Sequence, residues 1–167
     1  MNSNNIILIG FMGSGKTSFG KWISKNKAMT FLDTDECIVK RQKRSINEIF
    51  AKEGEEYFRD LETNLIKEMV SNIDNTVISV GGGLAVREEN RVMLKQLGTV
   101  VYLRTGIGEL VKRLSADTTR PLLKGGDLRN KIESLMDKRE ALYLDAADVI
   151  VDTDNRQFKD MYESIFG

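Results

Sequence analysis

Five short apolar runs alternate with amphipathic stretches along this 167-residue chain, and this alternation limits the fold more than any other feature. The runs are rich in Val, Ile and Leu and occupy residues 6–10, 30–32, 76–80, 99–104 and 149–152. Several are nearly continuous, which is typical of strands that are buried on both faces. Repeated strand–helix units predict one α/β domain, with a parallel sheet covered by helices on both sides.

Composition excludes several classes of chemistry. The chain has no histidine and one cysteine, Cys37, which rules out Ser-His-Asp hydrolysis, Cys-His nucleophiles, zinc fingers and an internal disulfide. Its 25 basic and 25 acidic residues give a formal net charge of zero, so neither nucleic acid nor a membrane surface is favoured as a partner. The N-terminal MNSNNIILIG does not have the pattern of a signal peptide or membrane span. We expect a cytoplasmic monomer that binds neither nucleic acid nor membrane.

The first predicted strand leads into GFMGSGKT, residues 10–17, which matches the phosphate-binding pattern G-x-x-x-x-G-K-[ST]. Glycines in such a loop let backbone N–H groups turn towards phosphate oxygens, and the following helix adds its positive N-terminal end. Lys16 is expected to reach the β- and γ-phosphates of a nucleotide, and the Thr17 hydroxyl to bind Mg²⁺. The nucleotide-binding residues predicted in this loop are Gly13, Ser14, Gly15, Lys16, Thr17 and Ser18.

Two aspartates follow the second predicted strand, in FLDTDE. If the strand geometry continues, Asp33 and Asp35 point the same way from one face. An acidic strand end or a helix N-cap is the structural alternative. Beside a phosphate loop, one aspartate can serve Mg²⁺ and the other can orient an acceptor hydroxyl and take its proton.

Spacing alone predicts that most of the scattered arginines are solvated charges. In EEYFRDLETNLIKEMV the apolar side chains share one helical face, which leaves Arg59 and Glu62 on the opposite face. The same solvated state is expected for three further arginines, Arg113, Arg139 and Arg156. Arg120 precedes the only proline, within the polar stretch SADTTRPLLKGGD. We interpret that stretch as a mobile flap that carries an arginine towards transferring phosphates.

Three consecutive glycines, residues 81–83, follow the third predicted strand in VISVGGGLAV. Each glycine costs about 0.5–1 kcal/mol relative to alanine. A flexible turn is the structural alternative, but one glycine usually suffices for a turn. We expect that a side chain at these positions would occupy the place of an acceptor molecule.

In their order along the chain, GFMGSGKT, LDTDE, YFRDLE, VISVGGGLA, TTRPLL, KREALY and VDTDNR resemble the shikimate kinase family. The resemblance covers nearly the whole chain and implies a three-layer P-loop kinase fold, similar to nucleoside monophosphate kinases, with a five-stranded parallel sheet. It implies ATP-dependent, Mg²⁺-assisted phosphorylation of the 3-hydroxyl of shikimate, in aromatic amino acid biosynthesis. The single domain, residues 1–167, would contain a substrate-binding region at about 33–62 and a lid at about 113–126.

The resemblance also implies roles for individual residues. Lys16 would neutralise phosphate charge, and Arg120 would be the lid arginine at the transferred phosphate. Asp35 would hold the shikimate hydroxyls and is the proposed base. Thr17 would coordinate Mg²⁺, and Asp33 would support the metal through water.

The remaining roles concern the carboxylate, the ring and the adenine. Arg59 and Arg139 would clamp the shikimate carboxylate, while Glu62 would orient Arg59 and contact the substrate through water. The floor under the ring would be formed by Gly81, Gly82 and Gly83, with backbone N–H groups available to the acceptor's oxygens and Gly82 the closest of the three. The adenine would lie against Arg113 and Arg156. The family often has a proline shortly after the arginine of the VDT segment, where it helps to sandwich the adenine. This chain has Gln157 and Phe158 there, and Phe158 either replaces that adenine contact or simply packs within the protein.

Two alternatives remain open at this point. Another small-molecule kinase of the same fold, such as a gluconate or nucleotide kinase, would share Lys16 and Thr17. It would not require Asp35, Arg59 and Arg139 together with three glycines. A nucleotide switch should carry Asn-Lys-x-Asp and Asp-x-x-Gly, but the two Asn-Lys pairs continue as NKAM and NKIE, and the sequence has no Asp-x-x-Gly.

Overall fold

The computed structural model describes residues 4–116 and 126–167. Most of the predicted lid, including Arg120, lies outside the described residues. The five strands are all parallel and follow the order β2-β3-β1-β4-β5 across one sheet. Their bounds are β1 (Ile6–Ile9), β2 (Thr30–Asp33), β3 (Thr76–Ser79), β4 (Thr99–Arg104) and β5 (Val149–Asp152). The predicted strands and the parallel sheet are confirmed, with strand ends correct to one residue.

Helices cover both faces of this sheet. Within the described ranges they are α1 (Lys16–Lys27), α2 (Thr34–Gln42), α3 (Ile46–Glu53), α4 (Glu55–Met69), α5 (Glu88–Leu97), α6 (Ile107–Leu114), α7 (Leu128–Ala146) and α8 (Phe158–Phe166). A short 3-10 helix (Leu84–Val86) follows the three glycines. None of the helices described has both the length and the apolar character needed to cross a membrane.

The central strand β1 shows why its apolar run is continuous. Ile7 and Ile9 pack into the core formed with α2 to α7, whereas Ile6 and Leu8 pack into the second core, under α1 and α8. Each such buried aliphatic side chain contributes about 1.5–3 kcal/mol to folding. With both faces covered, no position of β1 favours a polar residue.

The two aspartates after β2 do not continue the strand. Asp33 ends β2 and is the N-cap of α2, where its Oδ1 accepts a hydrogen bond from the Glu36 N–H at 3.1 Å. Asp35 therefore lies in the first helical turn. The prediction that the two side chains leave one face of a strand is wrong, because the cap at Asp33 starts a helix immediately.

Helix α4 is buried on two sides, which also corrects the sequence prediction. Phe58, Leu65 and Met69 belong to the main core, but Arg59 and Glu62 are buried as well, with side-chain exposures of 9% and 0%. A helical wheel assigns a polar face to solvent, whereas here the chain's own glycine segment covers that face. Arg139 is likewise buried, while Arg113 and Arg156 are exposed as spacing predicts.

Candidate active site

A cavity of about 630 Å³ opens at the C-terminal ends of the central strands, where parallel α/β sheets bind ligands. The predicted site residues that line it are Gly13, Ser14, Gly15, Lys16, Thr17, Ser18, Asp33, Asp35, Gly81, Gly82, Arg113 and Arg156. The other predicted residues within the described ranges do not line it: Gly83 ends the glycine segment, and Arg59, Glu62 and Arg139 are packed against that segment. Because Gly81 and Gly82 line the cavity, the residues packed against the glycine segment adjoin the residues that line the cavity.

The loop from Gly10 to Thr17 has the backbone of a phosphate-binding loop. Gly13 and Gly15 have positive φ angles of 81° and 95°, which only glycine adopts without strain. Gly15 caps α1, so the positive end of that helix points into the loop. The Lys16 ammonium donates to the carbonyls of Gly10 and Phe11 at 2.8 and 3.0 Å. Its charge therefore lies inside the loop.

Thr17 and Asp33 form an oxygen-rich pair at the edge of this loop. The Thr17 hydroxyl donates to Asp33 Oδ2 at 3.0 Å, and both residues line the cavity. A hydroxyl and one carboxylate are the protein ligands that Mg²⁺ commonly uses beside phosphate oxygens and water. This donor set fits the metal.

Two arginines and an aromatic ring, Arg113, Arg156 and Phe158, also line the cavity. Arg113 donates to the Gly13 carbonyl at 2.9 Å, which ties α6 to the phosphate loop. Arg156 donates to the Asp152 carbonyl at 3.3 Å. The Phe158 ring lines the same cavity and packs on Phe19, with ring centroids 5.4 Å apart. Phe158 is thus a packed residue that also presents an apolar surface to the cavity.

The backbone of the glycine segment is held by two side chains that the sequence analysis missed. The Gly81 N–H donates to Thr34 Oγ1 at 3.0 Å, so the expectation that this N–H is available to an acceptor is wrong. The Tyr143 hydroxyl donates to the Gly82 carbonyl at 2.5 Å. The sequence signals were available but weak, since Thr34 lies between the two aspartates and Tyr143 follows Arg139 by four residues, on the same helical face.

Packed side chains explain why this segment needs glycine. A Cβ at Gly81 would lie 2.8 Å from Asp35 Oδ1 and 2.9 Å from Glu62 Oε2, and a Cβ at Gly83 would lie 2.5 Å from Arg59 Cζ. These separations are too short for real Cβ atoms. An added side chain would therefore displace the site's own charged groups before it met any acceptor.

Arg59 is held between two carboxylates. Its Nη1 donates to Glu62 Oε1 at 2.6 Å and its Nη2 to Glu55 Oε2 at 3.0 Å. Burial acts to lower the pKa of Arg59, but Glu62 and then Glu55 outweigh it, so the pKa is raised and the guanidinium stays charged. Burial raises the pKa of Glu62 to about 7, against the opposing effect of Arg59 and with a smaller contribution from Asp35 in the same direction.

Three buried polar atoms at this site have no hydrogen-bond partner among the described residues: Ser14 Oγ in the phosphate loop, and Glu62 Oε2 and Arg139 Nη1 beside the glycine segment. Arg139 Nη1 lies 3.5 Å from the position of a Gly82 Cβ, and the guanidinium lies over the Phe11 ring. A buried polar atom without a partner costs about 1–3 kcal/mol. An acceptor oxygen beside Gly82 would remove that cost at Arg139.

Comparisons with known proteins agree on one family. The family model described as Shikimate kinase matches residues 12–166. A shikimate kinase of Dictyoglomus turgidum is 44% identical over 161 residues, covering 95% of this chain and 92% of the relative. The solved structure of a shikimate kinase from Acinetobacter baumannii in complex with shikimate is 36% identical, with a TM-score of 0.92, and the match covers 98% of this chain and 90% of that one.

A gluconokinase from Sinorhizobium meliloti also matches, with 15% identity, a TM-score of 0.53 and coverage of 98% of this chain and 90% of that one. Identity at this level shows a shared fold alone. The three-layer P-loop kinase fold is confirmed. The predicted resemblance to shikimate kinases is also confirmed, in preference to the two alternatives, another small-molecule kinase and a nucleotide switch. The chain is an ATP-dependent phosphotransferase that acts on a hydroxyl of shikimate, in the shikimate pathway. It belongs to the shikimate kinase family.

Proposed function

We propose that the cavity holds ATP and shikimate side by side, and that the γ-phosphoryl group passes to the 3-hydroxyl of shikimate to give shikimate 3-phosphate. The nucleotide lies in the loop of residues 10–17, and the acceptor lies on the glycine segment. The observation that carries this assignment is the buried Arg139 Nη1, which has no partner among the residues described. A guanidinium pairs best with a carboxylate, and shikimate has one carboxylate.

The acceptor is held at both ends. Arg59 and Arg139 bind the carboxylate, and Glu62 keeps the Arg59 guanidinium in its orientation through the 2.6 Å contact. Asp35, which lines the cavity, accepts a hydrogen bond from the reacting hydroxyl and takes its proton as the phosphoryl group arrives. Because phosphoryl transfer has a loose transition state, this carboxylate orients the hydroxyl first and removes the proton late.

The nucleotide is held by charge and by packing. The loop amides and Lys16 neutralise the phosphates, and Gly13, Ser14 and Ser18 complete the contacts to them. Arg113 and Arg156 lie against the adenine, and Phe158 closes the same end with an apolar surface. Arg120, in the lid of about residues 113–126, reaches the transferred phosphate when the lid closes.

Mg²⁺ is held by Thr17, with Asp33 supporting it through water. The donor set described above supports this choice. When bound, the metal neutralises charge on the β- and γ-phosphates.

The enzyme works as a monomeric single domain, residues 1–167, in which about 33–62 forms the substrate-binding region. It works in the cytoplasm, where ATP is supplied. The free thiol of Cys37, half-buried in the main core, fits a reducing compartment.

The test is a coupled ADP-release assay with shikimate, gluconate and nucleoside monophosphates as acceptors. We expect release with shikimate only, dependent on Mg²⁺. Release with gluconate or a nucleotide, and none above background with shikimate, would refute the proposal.

A further inference from the structure

Two carboxylates converge on one point beneath the acceptor. Asp35 Oδ1 and Glu62 Oε2 lie 2.8 and 2.9 Å from the same position, the one that a Gly81 Cβ would take. The Glu62 side chain is fully buried, and its Oε1 is occupied by Arg59. Its Oε2 has no hydrogen-bond partner within residues 4–116 and 126–167. A fully buried oxygen beside a second carboxylate is the atom most easily relieved by a proton.

The charges around Glu62 come from three helices. Those that act on it directly are Arg59 from α4, Asp35 from α2 and Arg139 from α7. Glu55 of α4 acts on Arg59, and the phenol Tyr143 of α7 lies beside Arg139. The glycine segment adds no charged side chain, and burial raises the pKa of Tyr143 to about 12, which keeps that phenol neutral. In the free enzyme the two arginines therefore offset Glu62 and Asp35.

Binding of shikimate changes this balance. Its carboxylate takes up the positive charge of Arg59 and Arg139, and the ring displaces water from above Asp35. Both changes disfavour a second negative charge on the carboxylate pair. The pKa of Glu62, which burial already raises to about 7 against the opposing effect of Arg59, then moves further upward.

We propose that the acceptor site takes up a proton from solvent when shikimate binds, and that this proton lies on Glu62 Oε2. One O–H bond forms on the carboxylate, no bond of shikimate breaks, and the buffer supplies the proton. The neutral carboxyl donates a hydrogen bond towards Asp35 or a shikimate hydroxyl. Asp35 stays ionised and can orient the reacting hydroxyl. Glu62 is thus a positioning residue whose proton adapts the site to an anionic acceptor, and the inference rests on the proposed binding of the carboxylate by Arg59 and Arg139.

The experiment is calorimetric titration of the full chain with shikimate at pH 7.5, in buffers that differ in ionisation enthalpy. The slope of observed enthalpy against buffer ionisation enthalpy counts the protons taken up. We expect an uptake of about 0.3–0.7 proton, and a Kd that rises by up to about tenfold per pH unit between pH 7 and 9. Glu62→Gln should abolish both effects, whereas Glu55→Gln, which changes the exposed partner of Arg59, should retain the uptake.

A second ligand and a second measurement complete the test. The methyl ester of shikimate lacks the negative charge and should bind without proton uptake. Infrared spectra of wild-type protein labelled with ¹³C at glutamate carboxyls should gain a protonated-carboxyl band on addition of shikimate, which locates the proton even if Glu62→Gln does not fold. A wild-type slope of zero, or the same slope in a folded Glu62→Gln, overturns the inference. Failure of wild-type protein to bind shikimate at all would instead refute the proposed function.

Discussion

Replacement of Gly83 by alanine should weaken shikimate binding in a protein that still folds. The φ and ψ angles at Gly83 are −101° and −2°, which alanine adopts freely, so the effect comes from contact alone. The new Cβ would lie 2.5 Å from Arg59 Cζ, whereas carbon atoms in contact are about 3.5–4.0 Å apart. The guanidinium must therefore move by about 1 Å or more.

The size of the effect follows from what that movement disturbs. Arg59 is held by Glu62 at 2.6 Å, and the same guanidinium is proposed to bind the shikimate carboxylate. A hydrogen bond to a charged group is worth about 1.5–3 kcal/mol, which is about 10- to 100-fold in Kd. Because the displaced atoms are the end of a flexible side chain, the free energy of unfolding should fall by only about 1–3 kcal/mol.

The assay is calorimetric shikimate binding, with denaturant unfolding and the KM for ATP as reference measurements. Gly108→Ala is the matched control, because Gly108 lies within α6 and, its chain neighbours and its own helix backbone aside, no described atom lies within 4 Å of its added Cβ. Its shikimate Kd should not change. Gly82→Ala places its Cβ a milder 3.2 Å from the Met12 N–H nitrogen, so its effect on the shikimate Kd should be smaller than that of Gly83→Ala. A folded Gly83→Ala that binds shikimate within about twofold of wild type would refute the reasoning, since the expected loss is about 10- to 100-fold in Kd.

Three further outcomes are expected. Asp33→Asn loses the charge but keeps the N-cap oxygen, so it should raise the Mg²⁺ concentration needed for half-maximal rate while costing under about 1 kcal/mol of stability. Asp33→Ala should raise that Mg²⁺ concentration and also lose the stability that the N-cap contributes. Equal Mg²⁺ requirements in all three proteins would contradict the metal role. Arg87 donates to Asp60 at 2.8 Å and to Glu56 at 3.0 Å, which ties α4 to the segment after the glycines. Arg87→Ala should therefore raise the KM for shikimate a few-fold and leave the KM for ATP unchanged. An equal rise in both constants would argue against this role. Burial raises the pKa of Glu62 in the folded state, so the contribution of Glu62 to stability is full at low pH and is lost as pH rises towards about 7. In urea unfolding, the free energy of unfolding of Glu62→Gln should therefore vary less with pH between pH 5 and 8 than that of wild type. Identical profiles would contradict the raised pKa.

The sequence predicts the sheet well, because strands that are buried on both faces consist almost entirely of apolar residues. A strand such as β1, with a core on each face, has no freedom to include polar residues, so its position is visible in composition alone. The phosphate loop is equally predictable, since its glycines at 13 and 15 have the positive φ angles that the pattern implies. Both features depend on residues close together in the chain.

The acceptor side was less predictable from residue patterns, because it depends on contacts between distant segments. Helical periodicity correctly assigns Phe58 to the core but cannot show that a backbone segment some twenty residues later covers Arg59 and Glu62. The positions of Thr34 and Tyr143, which hold that segment, carry only a weak local signal of their role. For Arg59 and Glu62, the family resemblance implied a place beside the acceptor that periodicity did not indicate.

The buried state of Arg139 has a consequence for ligands designed against this site. Its Nη1 is removed from water as the protein folds, so the desolvation cost is met before any ligand arrives. A carboxylate bound at Arg139 as proposed would therefore gain nearly the whole hydrogen bond, whereas an ester or a ring nitrogen in the same position would leave a buried cation incompletely neutralised. Inhibitors should thus lose affinity steeply when the acid is replaced, however well the remainder of the ring fits the glycine floor.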